Sequence, residues 1–402
     1  VRFNRDGEIE GAMADSWEVS DDGLTYTFHL RDANWSDGQP VTAQDFVYAW
    51  MRVLDPAAGA KNPSQFYLIE GAEEHYNNGG DGEVAISAPD DRTLTFTLKQ
   101  RVPYMLQLIT YTNWFPVRQD VVEADPEGWT RDPETFIGNG PFMVTEFNFG
   151  ESVVFAKNPE YYDADEVSLD TLTFRLIPDQ ATALTAMESG QVDGIEAVPA
   201  PEIPRLMAES DEFMIVPALG TTYAFFNPAQ PPLDDVRVRQ ALSMAIDRQD
   251  IVDFVLQSAD RPAIGLVPYG LTLAGEDFRD GTETYGLGAE AQPEAAQALL
   301  AEAGYPNGEG FPETVFITYT SPPIEKLLEA IQQMWKENLG VNVTLVNQEW
   351  KVFLSTMKNL DYQICRGNWI GDYIDPNTFL DMFVTNGGNN RTGWSNRRYD
   401  RL

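Results

Sequence analysis

Asp372 stands between Trp369 and Tyr373, one residue after Gly371, in the run 364–380 that reads Ile-Cys-Arg-Gly-Asn-Trp-Ile-Gly-Asp-Tyr-Ile-Asp-Pro-Asn-Thr-Phe-Leu. A lone carboxylate flanked by aromatic rings at a strand end is a good place to hold one ammonium group, because a desolvated cation needs a counter-charge. The same pattern also finishes ordinary loops, and the local sequence leaves both readings open. Asp375-Pro376 then breaks the chain, and Asn377 or Thr378 starts a helix through Phe379, Leu380 and Phe383. The strand that leads to the acid is expected over Tyr362 to Cys365.

Little other chemistry is on offer. No phosphate-binding G-x-x-x-x-G-K-[ST] loop occurs, and no G-x-G-x-x-G follows a strand. H-E-x-x-H and G-x-S-x-G are also missing. The two histidines, His29 and His75, lie near the N-terminus without local partners, which disfavours a Ser-His-Asp arrangement; His29 falls in an alternating strand and is expected to be a solvent-facing or satisfied strand residue. A single cysteine, Cys365, excludes an intrachain disulfide and any cysteine cluster for zinc or iron–sulfur. Asp163, Asp165 and Asp170 crowd one loop but lack the ligand order of a calcium loop, and read as a solvated acidic loop. Acids are so abundant that no pair stands out for glycoside hydrolysis. Neither a metal nor a cofactor is expected.

With 27 Lys and Arg against 63 Asp and Glu, the net charge is −36, which repels nucleic-acid phosphate and anionic lipid and excludes both as main partners. Aromatic residues make up 12% and the acids are scattered among apolar runs, so the charge does not signal disorder. At 402 residues and 43% hydrophobic composition, two or three domains are expected. No apolar run reaches the length of a membrane span and no signal peptide is visible; both ends read as cut.

The elements alternate in kind. Leu24 to Leu30 alternates apolar and polar residues after the turn Asp21-Asp22-Gly23, and Thr93 to Leu98 repeats that pattern after Asp90-Asp91-Arg92; both are expected as strands of one sheet. Thr42-Ala43-Gln44-Asp45 starts a helix that buries Phe46, Val47, Trp50, Met51 and Leu54. Strands are expected near 140–144, 152–156, 172–177 and 192–195, with a helix over 179–188 stopped by Ser189-Gly190. After Gly220 come a strand at Tyr223 to Asn227, a helix capped by Asp234, and helices beginning near Pro293 and Pro323, ended by Gly304 and Gly340. Strands at 315–319 and 341–346, a helix over 350–358 and a helix start at Tyr399 to Leu402 complete a mixed α/β pattern.

Several dispersed motifs resemble one family: the extracytoplasmic solute-binding proteins of peptide ABC importers, of the oligopeptide-binding type. The signature is Ala14-Asp15-Ser16-Trp17-Glu18-Val19 through Trp35-Ser36-Asp37-Gly38 to Thr42–Trp50, followed by Asn139-Gly140-Pro141-Phe142 and Asn158-Pro159-Glu160-Tyr161-Tyr162. Ser189-Gly190-Gln191-Val192-Asp193, Asp235 to Leu242, Leu339 to Val343 and Gln348-Glu349-Trp350 continue it in order, over essentially the whole chain. The resemblance implies a two-lobed α/β fold with mixed sheets and an additional small α/β domain. It places that small domain at 1–117, most of the first lobe at 118–219 and most of the second at 220–402. Relative to the family, an N-terminal segment and a longer C-terminal one are absent from the sequence.

The resemblance also implies a function. Short peptides would be held in extended form between the lobes by main-chain pairing and passed to the membrane permease of an ABC importer, by a monomeric receptor outside the cytoplasmic membrane. By motif match, Asp372 would meet the peptide's ammonium group. The strand Arg366-Gly367-Asn368-Trp369-Ile370 would pair with its backbone, and Tyr223 would help to hold it. Where relatives carry basic residues for the peptide's C-terminus, the matching positions are Glu325, Met357 and Lys358, of which only Lys358 keeps the charge; Ser64 replaces a usual tyrosine. A receptor of the same family for a metal chelate, haem or an oligosaccharide is the alternative, and a hydrolase a more distant one.

Overall fold

The computed structural model describes residues 1–60, 62–273 and 275–401. The chain forms two compact units, Val1–Asp179 and Gln180–Leu402.

In the first unit, β1 (Ala14–Val19), β2 (Thr25–Leu30), β3 (Ile86–Asp90) and β4 (Thr93–Thr97) form an antiparallel sheet in the order β1-β2-β4-β3. The two look-alike strands are neighbours, with Tyr26 opposite Phe96 and Phe28 opposite Leu94. Alternation sends Tyr26, Phe28 and Leu30 inward and leaves His29 half-exposed, 3.6 Å from Glu18. Helix α1 (Ala43–Val53) covers this face through Phe46, Ala49 and Trp50, and its first turn is closed by the Thr42–Asp45 capping box. Strands β5 (Phe142–Asn148), β6 (Ser152–Lys157) and β7 (Thr171–Arg175) form a second antiparallel sheet.

The second unit opens with helix α2 (Gln180–Glu188), closed by Gly190 at φ +70°. The expected strand at 192–195 does not form; the segment finds no ladder partner among the described residues and runs as bends and coil. The unit is built on one mixed sheet. Its strands are β8 (Gly220–Phe226), β9 (Thr314–Tyr319), β10 (Val343–Gln348) and β11 (Ile364–Ile370), in the order β8-β11-β9-β10. β9 runs parallel to β10 and β11, and β8 runs antiparallel to β11.

Helices cover both faces. α3 (Val236–Met244), α4 (Pro293–Glu302) and α5 (Pro322–Leu339) bury Val238, Leu242, Leu300, Leu328 and Trp335 against Phe316, Val343 and Ile364. α6 (Trp350–Lys358) packs Phe353 and Met357 on the opposite face, against Phe225, Ile317, Tyr362 and Cys365. Pro293 begins α4, and Gly340 ends α5 in the left-handed region at φ +70°, where a Cβ is disfavoured. The cap of α3 is Asp235 rather than Asp234: the Asp235 carboxylate accepts from the main-chain N–H of Arg237 at 2.8 Å. β9 and β10 are joined through α5 on one face, β10 and β11 through α6 on the other. In such sheets the carboxyl ends of the parallel strands are where ligands bind.

Candidate ligand-binding site

β11 is longer than its local pattern suggests, running through 366–370 as the resemblance implies, and ends nearer the acid. The expected strand at 362–365 runs instead from Ile364 to Ile370, because β8 pairs with it residue for residue, from Phe226 opposite Ile364 to Gly220 opposite Ile370. Arg366, Gly367 and Asn368 give no strand-like pattern by themselves; the long-range partner supplies the ladder. Gly371 and Asp372 follow directly.

The other edge of β11 is open past its first residues. β9 pairs with it only at Phe316–Ile364 and Ile317–Cys365. Beyond this no strand among the described residues pairs with that edge. The main-chain N–H of Gly371 donates to Leu219 O at 2.8 Å, so the polar groups of residues 367, 369 and 371 point toward β8. With the two-residue period of an antiparallel ladder, those of Arg366, Asn368 and Ile370 point to the other edge, where the Ile317–Cys365 pairing takes up the N–H of Arg366, and Asn368 and Ile370 are left open. Asn368 and Ile370 are exposed, Ile370 at 60%.

The chain then turns and is pinned. Helix α7 (Asn377–Leu380) follows Asp375-Pro376, and its buried Thr378 hydroxyl accepts from the N–H of Asp372 at 3.0 Å and from the Trp369 indole at 3.4 Å. Trp369 is half-buried and packs with Val267, Leu271 and Phe379. One side of the acid is thus walled by apolar core. Tyr223 lies over Gly367, and its hydroxyl donates to Met382 Sδ at 3.8 Å. Burial raises the Tyr223 phenol above its ordinary range, so it stays a neutral donor.

Arg366 is 9% exposed, donates to the Tyr319 hydroxyl and lies 4.9 Å from that ring's centre. Its Nε has no hydrogen-bond partner, and the guanidinium forms no ion pair among the described residues, although the chain is strongly acidic. A buried cation without a counter-ion marks a place where an anion is welcome. Cys365 beside it is inert: burial pushes its thiol up to about 12.

Asp372, Trp369, Ile370, Asn368, Gly367, Arg366 and Tyr223 therefore share one region, where β8 and β11 pair and β11 ends. The other two expected residues lie elsewhere in the unit. Glu325, in the first turn of α5, accepts from the Asn347 side chain at 2.7 Å, and Lys358 is the exposed last residue of α6. Two residues near the acid escaped the sequence reading. Thr378 shows there only as a helix start. Asp381 carries no local signal among 63 acids, yet its charge interacts with that of Asp372.

The family model of the bacterial extracellular solute-binding proteins, family 5 middle region, matches residues 8–391. The dipeptide-binding protein DppE of Bacillus subtilis is 38% identical over 408 residues, covering 100% of this chain and 74% of that protein. The crystal structure of the periplasmic oligopeptide-binding protein OppAIV from Borrelia burgdorferi superposes with a TM-score of 0.86 at 36% identity, covering 97% of this chain and 77% of that one. Haemophilus influenzae OppA in complex with the peptide RPPGFSPFR gives 0.86 at 30% identity, covering 100% and 79%. These solved relatives are two-lobed binding proteins, and their α/β fold is the fold of this chain. The match over nearly the whole sequence, together with the shared fold, makes the chain a member of the bacterial extracellular solute-binding proteins of family 5.

Proposed function

We propose that this chain is the peptide-binding receptor of an ABC importer, and that it binds its ligand by strand addition to the open edge of β11. That edge carries the reading: a strand whose outward main-chain groups beyond Arg366, at Asn368 and Ile370, have no ladder partner among the described residues, and which ends two residues before a carboxylate. An extended peptide satisfies such an edge with its own N–H and C=O groups, which gives affinity without reading side chains. Asp372 then receives the peptide's ammonium group and fixes the register. Arg366, buried without a counter-ion, is suited to a carboxylate of the ligand, and Tyr223 supports the strand from the β8 side. The division at residues 117 and 219 belongs to the same reading of the domains.

The receptor works outside the cytoplasmic membrane and hands its peptide to the importer's membrane permease; binding, not catalysis, is its task. No helix among the described residues is long and apolar enough to cross a membrane. Mass spectrometry of ligand released from the purified protein tests the reading: peptides of mixed sequence are expected. A released sugar, haem or metal chelate would replace it, and cleavage of added peptide would point to a hydrolase.

A further inference from the structure

Nine residues after Asp372, a second carboxylate, Asp381, stands one helical turn beyond Thr378, whose hydroxyl accepts from the N–H of Asp372 at 3.0 Å. Asp381 opens the turn Asp381–Phe383 that follows α7. The turn is held from two sides: the Tyr223 hydroxyl donates to Met382 Sδ, and the Tyr399 hydroxyl donates to Leu380 O at 2.6 Å. Asp381 Oδ1 is shut off from solvent and has no hydrogen-bond partner among the described residues. The charged and titratable groups that bear on the carboxyl are Asp372, on the loop after β11, and the Tyr399 phenol, on the last turn of the chain. Asp400 is engaged with the N–H of Thr385 at 2.9 Å, and the charge of Arg391 falls on Tyr223 and Tyr362. Asp381 forms no ion pair among the described residues. Burial first, and the charge of Asp372 second, push the Asp381 carboxyl up to about 7.

Two acids sharing a poorly solvated site cannot both ionise cheaply unless a cation joins them. A ligand ammonium group is such a cation. We propose that Asp381 is a positioning residue that exchanges a proton against the ligand: it is protonated in the empty site and ionised when a peptide's ammonium group sits on Asp372. The carboxylic acid gives its proton to solvent, the ammonium group keeps its own, and the occupied site holds two carboxylates around one cation. The inference rests on the reading of Asp372 as the ammonium's partner. Because the occupied state binds one proton fewer, affinity rises with pH through the neutral range.

The test is calorimetry of tri-alanine binding to protein freed of co-purifying ligand, at pH 6, in phosphate and in imidazole, whose ionisation heats differ. Release of close to one proton per peptide (~0.9) is expected, with binding about five- to tenfold tighter at pH 7.5 than at pH 6. Asp381→Asn should lose the proton release and flatten the pH dependence. If Asp381→Asn fails to fold, the wild-type buffer comparison still decides, and Asp381→Ser provides a second variant. Equal heats in the two buffers for the wild type, or proton release that survives the substitution, overturn the proposal while leaving the peptide receptor intact. No binding at either pH overturns the receptor reading and this proposal with it.

Discussion

Tyr223 rests on Gly367. The two residues face each other across β8 and β11, and a Cβ built at position 367 would lie 2.3 Å from Tyr223 Cε2. Glycine is needed here for space, since its backbone is ordinary strand. Gly367→Ala must displace the ring or spread the strands, and should destabilise the unit by about 1–3 kcal/mol. Urea unfolding checks the loss. Peptide affinity should fall with it, because the same strand offers its other edge to the ligand.

Asp372→Ala should weaken peptide binding by about 2–5 kcal/mol, roughly thirtyfold or more, because an ammonium group would be desolvated without its counter-charge. An N-acetylated peptide should suffer a similar loss on the wild-type protein and little further loss on the variant. Calorimetry of the four combinations measures the coupling. Equal binding of free and acetylated peptides would remove Asp372 from this role.

Asn227 ties the start of β11 to the end of β8. It is 2% exposed; its amide donates to Leu360 O at 3.0 Å and Tyr362 O at 2.9 Å, and its Oδ1 accepts from the N–H of Ala229 at 3.0 Å. Asn227→Ala strands these main-chain groups inside the fold and should cost about 2–4 kcal/mol of stability, read from denaturant midpoints.

The raised Asp381 carboxyl also predicts how the empty protein responds to pH. In the folded state it holds its proton up to about 7, whereas an unfolded aspartate releases it near 4. Between those values the folded state binds more protons, so this group's contribution to stability falls as pH rises toward 7 and is level above it. The lowered carboxyls of Asp22, Asp90, Asp120, Asp235 and Asp277 act the other way: their contribution is present above about 4 and is lost as pH falls below it. The wild type minus Asp381→Asn difference in Tm, scanned from pH 4 to pH 8, should therefore fall over this window and then become constant.

Much of the fold was legible because its causes are local. The apolar alternation of Thr25–Leu30 and Thr93–Thr97, the Thr42–Asp45 capping box, the proline that begins α4 and the glycine that ends α5 act within a few residues, and each stands where it was expected. Local rules erred where two answers were close: Asp235 rather than its neighbour caps α3, and the apolar residues at 192–195 form no strand because none comes to pair with them.

The candidate site divides along the same line. By itself, the sequence determined that one acid stands between two aromatic residues after a glycine, that a helix follows Asp375-Pro376, and that the chain carries its family's motifs in order. Only the tertiary structure decided that β8 extends β11 as far as Ile370, that β9 leaves it after Cys365 and exposes its edge, that Arg366 is buried without an acid, and that Asp381 lies within reach of Asp372's charge. Each of these depends on residues far apart in the chain or on solvent excluded by the assembled core, and neither pairing nor desolvation is written in the spacing of neighbouring residues.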